Sequence, residues 1–379
     1  MRVLHVVPTY LPAVRYGGPI YSVHGLAVAL ARRGHDVNVY TTNVDGSSES
    51  DVPLAIPVDM DGVSVWYFPT GIGRRLYRSP EMGRALKRTV ATFDLVHIHS
   101  VFLWPTTAAA HAAQRHKIPY MLAPRGMLVG DLIRRKSRFL KLAWLTAFDR
   151  DNLWRAAAVH VTSEIEGLEI AALGLRCPRI RTIPNGLQLP QVRRRFHDSQ
   201  DRATILFLGR INWKKGIDRL VLSLKFLPGA DLLLAGNDEE NYTATLKDLA
   251  REAGVLDRVC FTGAVRDDEK WTMLARANVL VLPSYSENFG NVVLEAMAAK
   301  CPVVVTPEVG LAATVQQSGS GLVVSGDPEP LARAIESILS DHASAEAMGE
   351  AGRKTVEQKF SWDAIAAETE GVYRELISE

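Results

Sequence analysis

The sequence predicts an α/β protein made of two doubly wound, Rossmann-like domains. Three observations predict it. Short apolar runs alternate with segments of helical periodicity along the whole chain. The alternation breaks once, at the turn chemistry of Pro184-Asn185-Gly186 and the polar, aperiodic stretch Gln191 to Arg202, and then restarts. The chain has 379 residues, enough for two domains that each bury a core.

The elements follow in order. Val3–Val7 reads as the first strand. Tyr21–Arg33 has helical periodicity and stops at Gly34, which suits the left-handed position past a helix end. Asp36–Thr42, Val63–Phe68, Leu95–His99, Tyr120–Ala123 and Val159–Thr162 read as further strands, with helices between most of them. This βα alternation argues for a parallel sheet covered on both faces. The linker is placed at 191–202, so the first domain is 1–190 and the second 203–361. In the second, Thr204–Leu208, Leu232–Ala235, Val259–Phe261, Val279–Leu282 and Val303–Thr306 read as strands. Helices over Pro328–Ser340, Ala343–Lys359 and Trp362–Ile377 end the chain.

The charge balance is 44 Lys and Arg against 42 Asp and Glu, too near neutral for nucleic acid to be the main partner. Cys177, Cys260 and Cys301 are far apart and have no metal-ligand or redox spacing, which suits a reducing compartment. The N-terminus lacks signal-peptide anatomy, and no apolar run reaches the ~18 residues that cross a bilayer. A cytoplasmic protein is expected.

In open parallel sheets, ligands bind beyond the carboxyl ends of the strands. Three constellations fall there. Gly209-Arg210-Ile211-Asn212-Trp213-Lys214-Lys215-Gly216 follows a strand and feeds a helix. Arg210 and Lys215 near a helix N-terminus make a diphosphate site; a solvated basic loop is the plain alternative. The second, Ser284 to Asn291, follows the strand Val279–Leu282. Glu287 sits in the loop, and Glu295, eight residues on, lies about one turn inside the next helix. The amides of Phe289, Gly290 and Asn291 face an anion, and the two carboxylates suit ribose and sugar hydroxyls. Ordinary helix N-terminal charge is the plain alternative. The third is the loop Pro12 to Pro19 with Gly17-Gly18, which can pass under a phosphate but lacks the dinucleotide fingerprint.

These segments together resemble the retaining GT-B glycosyltransferases of group 1, or family 4. The matching pieces are Gly17-Gly18, Arg33-Gly34-His35-Asp36-Val37, Asp94-Leu95-Val96-His97-Ile98-His99, Ile183-Pro184-Asn185-Gly186, Leu208-Gly209-Arg210, Lys215-Gly216, and Leu282 through Glu295-Ala296-Met297-Ala298. They run in family order over nearly the whole chain. Ala123 to Leu128 and Thr162-Ser163-Glu164 resemble members that build bacterial surface polysaccharide.

The resemblance implies two domains facing across a cleft that closes on the donor, with the last helix, 362–379, returning to the first domain. It implies that Arg210 and Lys215 hold the donor diphosphate and stabilise the leaving charge. Glu287 would contact the donor sugar and Glu295 the ribose, with Gly17, Gly18, Asn288, Phe289, Gly290 and Asn291 also at the donor. It implies a UDP- or GDP-sugar donor, a glycan or lipid-linked saccharide acceptor, front-face transfer with retention, no cofactor and no divalent metal. No Asp-x-Asp motif stands in a suitable loop.

Two positions depart from the family pattern. Asn288 stands where many members carry glycine, and Arg125 where many carry a histidine near the reacting sugar. Arg125 does not act as a base near neutral pH, but it can hydrogen-bond a sugar or an acidic acceptor. His99 is a candidate on the acceptor side; it is expected to face opposite to His97, and a hydrogen-bonded structural histidine is the alternative for it and for His160.

Leu132 to Phe148 is both basic and apolar. On a helical wheel Ile133, Leu140, Ala143, Trp144 and Ala147 share one side, interrupted by Lys136, and Arg134, Arg135, Arg138 and Lys141 the other, interrupted by Leu142 and Leu145. Segment 132–148 therefore suits either peripheral contact with anionic lipid or a core-facing helix with a solvated face. Arg74, Arg75 and Arg78 form a second basic cluster. Besides a transferase, the same architecture admits a nucleotide-sugar epimerase, a phosphorylase or a non-catalytic binding partner. The intact set Arg210, Lys215, Glu287 and Glu295 argues against these. A nicotinamide dehydrogenase lacks its glycine fingerprint and is the weakest option.

Overall fold

A computed structural model describes every residue except 15–16, 131–132, 134–137, 192–201, 239 and 266. The chain forms two units. Unit 1 is Met1–Gly186 with Trp362–Glu379, and unit 2 is Leu187–Ser361. The division falls just ahead of the 191–202 stretch, most of which lies outside the described residues.

Unit 1 is built on strands β1 (Arg2–Val6), β2 (Asp36–Thr42), β3 (Val44–Asp45), β4 (Ser48–Glu49), β5 (Pro57–Met60), β6 (Val63–Phe68), β7 (Leu95–His99), β8 (Tyr120–Ala123), β9 (Ala158–Val161) and β10 (Ile180–Thr182). Its main sheet runs β10-β9-β8-β7-β1-β2-β6-β5. All pairs are parallel except the edge pair β5–β6, while β3 and β4 make a separate hairpin. The sequence reading missed β5 and β10 because their side chains are half exposed and give no apolar run.

Side chains alternate between two cores along each strand. Leu4, Val6, Val96, Ile98, Val159 and Val161 enter one core. Val3, Leu95, Met121 and Ala158 enter the other, which the helices Gly18–Arg32 and Trp362–Ser378 cover with Leu26, Leu30, Ile365 and Tyr373. The Trp362 indole lies against Gly25 and Gly186, where a Cβ would come within 2.2 and 2.4 Å of the ring. Bare glycine faces at both positions let the last helix seat in this unit.

The first helix starts at Gly18, three residues earlier than its apolar periodicity suggests, because Gly17 at φ 71° and Pro19 supply the entry turn. Segment 132–148 does not turn most of its expected apolar side to the core. Ile133 and Leu145 are buried, but Leu140 is 75% exposed, Phe139 is 84% exposed, and Ala143 and Ala147 are exposed. The helix Arg138–Trp144 runs into a π-helical turn at Leu145–Asp149. Arg134, Arg135, Lys136 and the Arg138 side chain lie outside the described residues. Among the described residues no helix is long and apolar enough to cross a membrane.

Unit 2 has six parallel strands, β11 (Ala203–Leu208), β12 (Ala230–Ala235), β13 (Val259–Gly263), β14 (Val279–Leu282), β15 (Val303–Val305) and β16 (Gly321–Val323). They run in the order β13-β12-β11-β14-β15-β16. One continuous core includes Ile205, Phe207, Leu280, Leu282 and Val304, with Leu294, Ile335 and Val356 from the helices on it. β11 and β14 run parallel, but the order in which strands are added reverses between them, the kind of place where open α/β sheets hold their ligands.

Candidate active site

In unit 2 the loops after β11, β14 and β15 meet at one edge. After β11 the chain makes a short 3-10 turn, Trp213–Lys215, and enters the helix Ile217–Ser223 through Gly216. Gly216 has φ 62°, and a Cβ there would sit 2.0 Å from the Pro283 carbonyl oxygen. This close approach stitches the two loops together, and the Tyr285 N–H donates to the Lys214 carbonyl at 2.8 Å. The third loop joins through Glu287. Its N–H donates to the Glu308 carbonyl at 3.1 Å, and the Gly310 N–H donates to the Glu287 carbonyl at 2.9 Å. A side chain at Gly310 would strike the Asn288 carbonyl oxygen at 2.1 Å.

This scaffold brings Lys215 and Glu287 together. Nζ of Lys215 donates to Oε2 of Glu287, and both side chains are mostly buried. Gly290 at φ 91° caps the helix Asn291–Ala298, with Phe289 buried in the core beneath it. Glu295 lies in that helix and accepts from Lys270 Nζ at 2.9 Å. Lys270, on the helix Asp267–Arg276, was not singled out in the sequence, since one lysine on a polar helix gives no signal. Arg210 is exposed at the start of the first loop. Arg219 stacks 3.6 Å above the Tyr285 ring, whose hydroxyl donates to Asp218 at 2.9 Å, and so braces the second loop. The arrangement offers cations, helix N-terminal amides and carboxylates at one sheet edge. It can hold a phosphate-bearing ligand with hydroxyl groups.

Unit 1 carries Gly17, Gly18, His99 and Arg125. Gly17 precedes the first helix and Gly18 opens it. His99 ends β7, and Arg125 follows β8 with Pro124 between them. The expectation that His99 faces away from His97 is overturned: the rings are 4.2 Å apart, because residues two apart on a strand share a face. His5, His97, His99 and His160 all project from the same face as Val3 and Leu95, and all are buried.

Their hydrogen bonds fix their tautomers. His160 Nε2 lies 2.8 Å from the Ile183 carbonyl oxygen, which only accepts. His160 Nε2 is therefore protonated, and Nδ1 accepts from His97 Nε2 at 3.1 Å. His97 Nδ1 then accepts from the Tyr373 hydroxyl at 2.7 Å. In the second chain, Arg125 Nε and Nη2 lie 3.4 and 3.2 Å from His99 Nδ1. A guanidinium only donates, so His99 Nε2 carries the proton and donates to His5 Nδ1 at 3.0 Å. The His5 Nε2–H is then a buried donor with no acceptor.

Burial, reinforced by Arg125, lowers His5 and His160 to about 3 and His99 well below its usual value. For His97 burial comes first and the other histidines second. Burial also lowers Arg125 to about 10, with Glu166 opposing, so it stays charged at neutral pH. The ring nitrogens of His5, His97 and His99 lie within 4.8 Å of one another, the separation of metal ligands. The adjoining guanidinium makes that spot unfavourable for a second cation, and both nitrogens of His97 are already engaged.

The Glycosyl transferase 4-like domain family matches residues 17–186, and the Glycosyl transferases group 1 family matches residues 191–355. The glycogen synthase of Mycobacterium tuberculosis is 30% identical over 410 residues, covering 98% of this chain and 94% of that protein. Sucrose-phosphate synthase from Thermosynechococcus elongatus superposes with a TM-score of 0.78 at 24% identity, covering 100% of this chain and 99% of that one. HepE of Anabaena in complex with UDP and glucose superposes with a TM-score of 0.72 at 18% identity, covering 99% and 100%. The structural likenesses carry the GT-B fold of two Rossmann-like domains, and the sequence matches span both of them. The chain therefore belongs to the group 1, or family 4, glycosyltransferases and is a transferase.

Proposed function

We propose that this protein moves a hexosyl unit from a UDP- or GDP-sugar to a glycan or lipid-linked saccharide in cell-surface polysaccharide synthesis. Transfer retains the anomeric configuration and uses no divalent metal. The observation that supports it is the meeting of Lys215 and Glu287, 72 positions apart, beside the helix that carries Glu295. The HepE complex, which holds UDP and glucose on the same fold, agrees with it.

On this reading Arg210 and Lys215 neutralise the donor diphosphate and the charge that develops as it leaves. The amides at Phe289, Gly290 and Asn291, and those at Gly17 and Gly18, bind phosphate or sugar, and Asn288 shapes the loop beside them. Glu287 accepts from the sugar hydroxyls and positions the Lys215 ammonium. Glu295 accepts from the ribose hydroxyls, with Lys270 holding its carboxylate in place. The acceptor hydroxyl attacks from the face the diphosphate leaves, and the departing phosphate oxygen takes its proton, so no protein base is required. His99 and Arg125 serve the acceptor side. The basic and apolar segment 132–148 makes peripheral contact with the cytoplasmic face of the membrane.

The test is a donor screen on the purified protein with EDTA present. Thermal stabilisation and slow donor hydrolysis are read across UDP-, GDP- and ADP-sugars for the parent, Glu287→Ala and Arg210→Ala. One donor should stabilise the parent and turn over without metal, and both variants should lose it. Turnover that depends on added magnesium would remove the metal-independent part. A parent that no nucleotide-sugar stabilises, or variants that match it, would remove the site assignment and favour a phosphorylase or binding partner.

A further inference from the structure

We propose that the acceptor carries an oxyanion, a phosphate or a carboxylate, and that Arg125 is the residue that receives it. This rests on the transferase reading above.

The first observation is a cation without an ion pair among the described residues. Nε and Nη2 of Arg125 face His99, and Nη1 donates to Asn185 Oδ1 at 2.9 Å. A guanidinium has five N–H groups, so two remain. Among the described residues no carboxylate forms an ion pair with it. Glu166 is the acid whose charge it feels, but that carboxylate accepts from the Gly126 N–H at 2.6 Å and the Thr162 N–H at 2.7 Å. A structural arginine in the same unit looks different: Arg33 Nη2 lies 2.6 Å from Glu370 Oε2.

The second observation is the neighbourhood. The fixed tautomers turn His99 Nδ1 toward Arg125 as an acceptor, so the histidines orient the guanidinium without neutralising it. Beyond them, the His5 Nε2–H is fully buried and has no acceptor. The row therefore offers positive charge and an N–H donor but no negative charge.

The third observation is where the backbone is held out of its usual range. Arg125 has φ 56°, and Ser100 and Phe102 in the loop after β7 have φ 76° and 62°. Side chains pin these loops, since Asp149 Oδ2 accepts from the Phe102 N–H at 2.7 Å and Glu166 from Gly126. Left-handed non-glycine residues held in this way concentrate at ligand sites, and these lie at the carboxyl edge of parallel strands. A neutral side chain would suffice for a sugar hydroxyl. A pinned guanidinium with open N–H groups selects a planar or tetrahedral oxyanion.

The test uses the full chain saturated with the nucleoside diphosphate found in the donor screen. Glucose, glucose 6-phosphate, glucuronate and inorganic phosphate are titrated by calorimetry against the parent, Arg125→Gln and Arg125→Lys. The parent should bind one of the two anionic sugars about tenfold or more tighter than glucose, the range of a charge-assisted hydrogen bond. Arg125→Gln should lose that preference, and Arg125→Lys should keep part of it. Competition by inorganic phosphate identifies a phosphate site, and preference for glucuronate alone identifies a carboxylate site. A parent with equal affinity for glucose and both anionic sugars, or a Gln variant that keeps the preference, overturns the proposal. Should the Gln variant fail to fold by circular dichroism, the Lys variant decides: a preference equal to the parent's overturns the need for the guanidinium fork. Nucleoside diphosphate binding is measured first and separately, so its absence would count against the transferase reading alone.

Discussion

The two units solve the problem of buried charge in opposite ways. At the sheet edge of unit 2, Lys215 meets Glu287 and Lys270 meets Glu295, so each of these cations has a carboxylate. At the sheet edge of unit 1, Arg125 lies among histidines that burial keeps neutral. A paired site can exchange its internal partner for a ligand's phosphate or hydroxyl at modest cost. A guanidinium with no ion pair, even one only partly buried like Arg125, gains on meeting an anion. On the proposals above, the difference would suit unit 2 to a ligand of mixed charge and hydroxyl character, and unit 1 to one that brings negative charge.

The comparison breaks most readily at Lys215. Lys215→Ala should lower kcat by about 10²–10³-fold, the usual loss for one group that stabilises leaving charge. Single-turnover kinetics with the matched donor would measure it. A loss confined to KM would make Lys215 a ground-state binder only. Next is the backbone beneath it. Gly216→Ala should destabilise the protein by about 3 kcal/mol, since it combines a left-handed φ with the Pro283 carbonyl 2.0 Å away. Chemical denaturation would show it, and an unchanged midpoint would mean that the two loops are not stitched there.

The histidine row sharpens the other side. His5 and His160 titrate near 3 in the folded chain, against about 6.5 when unfolded. Between those values the unfolded chain binds more protons. Their contribution to stability is therefore complete above pH 6.5 and falls as pH drops, by up to about 1.4 kcal/mol per pH unit for each such histidine. Urea midpoints from pH 7 to 4 should follow this slope, and His160→Gln should flatten it. Asp149 acts with the opposite sign. Burial raises its carboxyl to about 7, so its contribution is present below pH 4 and is lost as pH rises through 7. Asp149→Asn keeps an acceptor for the Phe102 N–H and should gain on the parent between pH 4 and 7, by at most about 1.4 kcal/mol per unit. This is the smallest net effect, because the rising histidine contribution masks it in the parent.

Much of this was readable from residue order. Apolar runs such as Ile205–Leu208 and Val279–Leu282 mark strands because both of their faces are buried. Glu287 and Glu295 stand out because a glycine and a helix start lie between them. The half-exposed strands β5 and β10 were not legible, nor was Lys270, whose role depends on a neighbouring helix. Which side of 132–148 meets the core was not legible, since that depends on what packs against the segment, and Leu140, Ala143 and Ala147 are exposed. The misreading of His97 and His99 was an error of strand periodicity, which their 4.2 Å separation corrects.

By itself, then, the sequence determined the two βα halves, the break between them and the residue types in the loops after β11 and β14. These depend on local pattern: burial on both faces selects apolar strands, and turns select glycine, proline and asparagine. The tertiary structure alone decided the partners. Tyr373 reaches His97 across 276 positions, Glu287 reaches Lys215 across 72, and Arg125 is left without a carboxylate among the described residues. Pairings at such separations are set by how strands register and helices pack, and no local pattern in the chain encodes them.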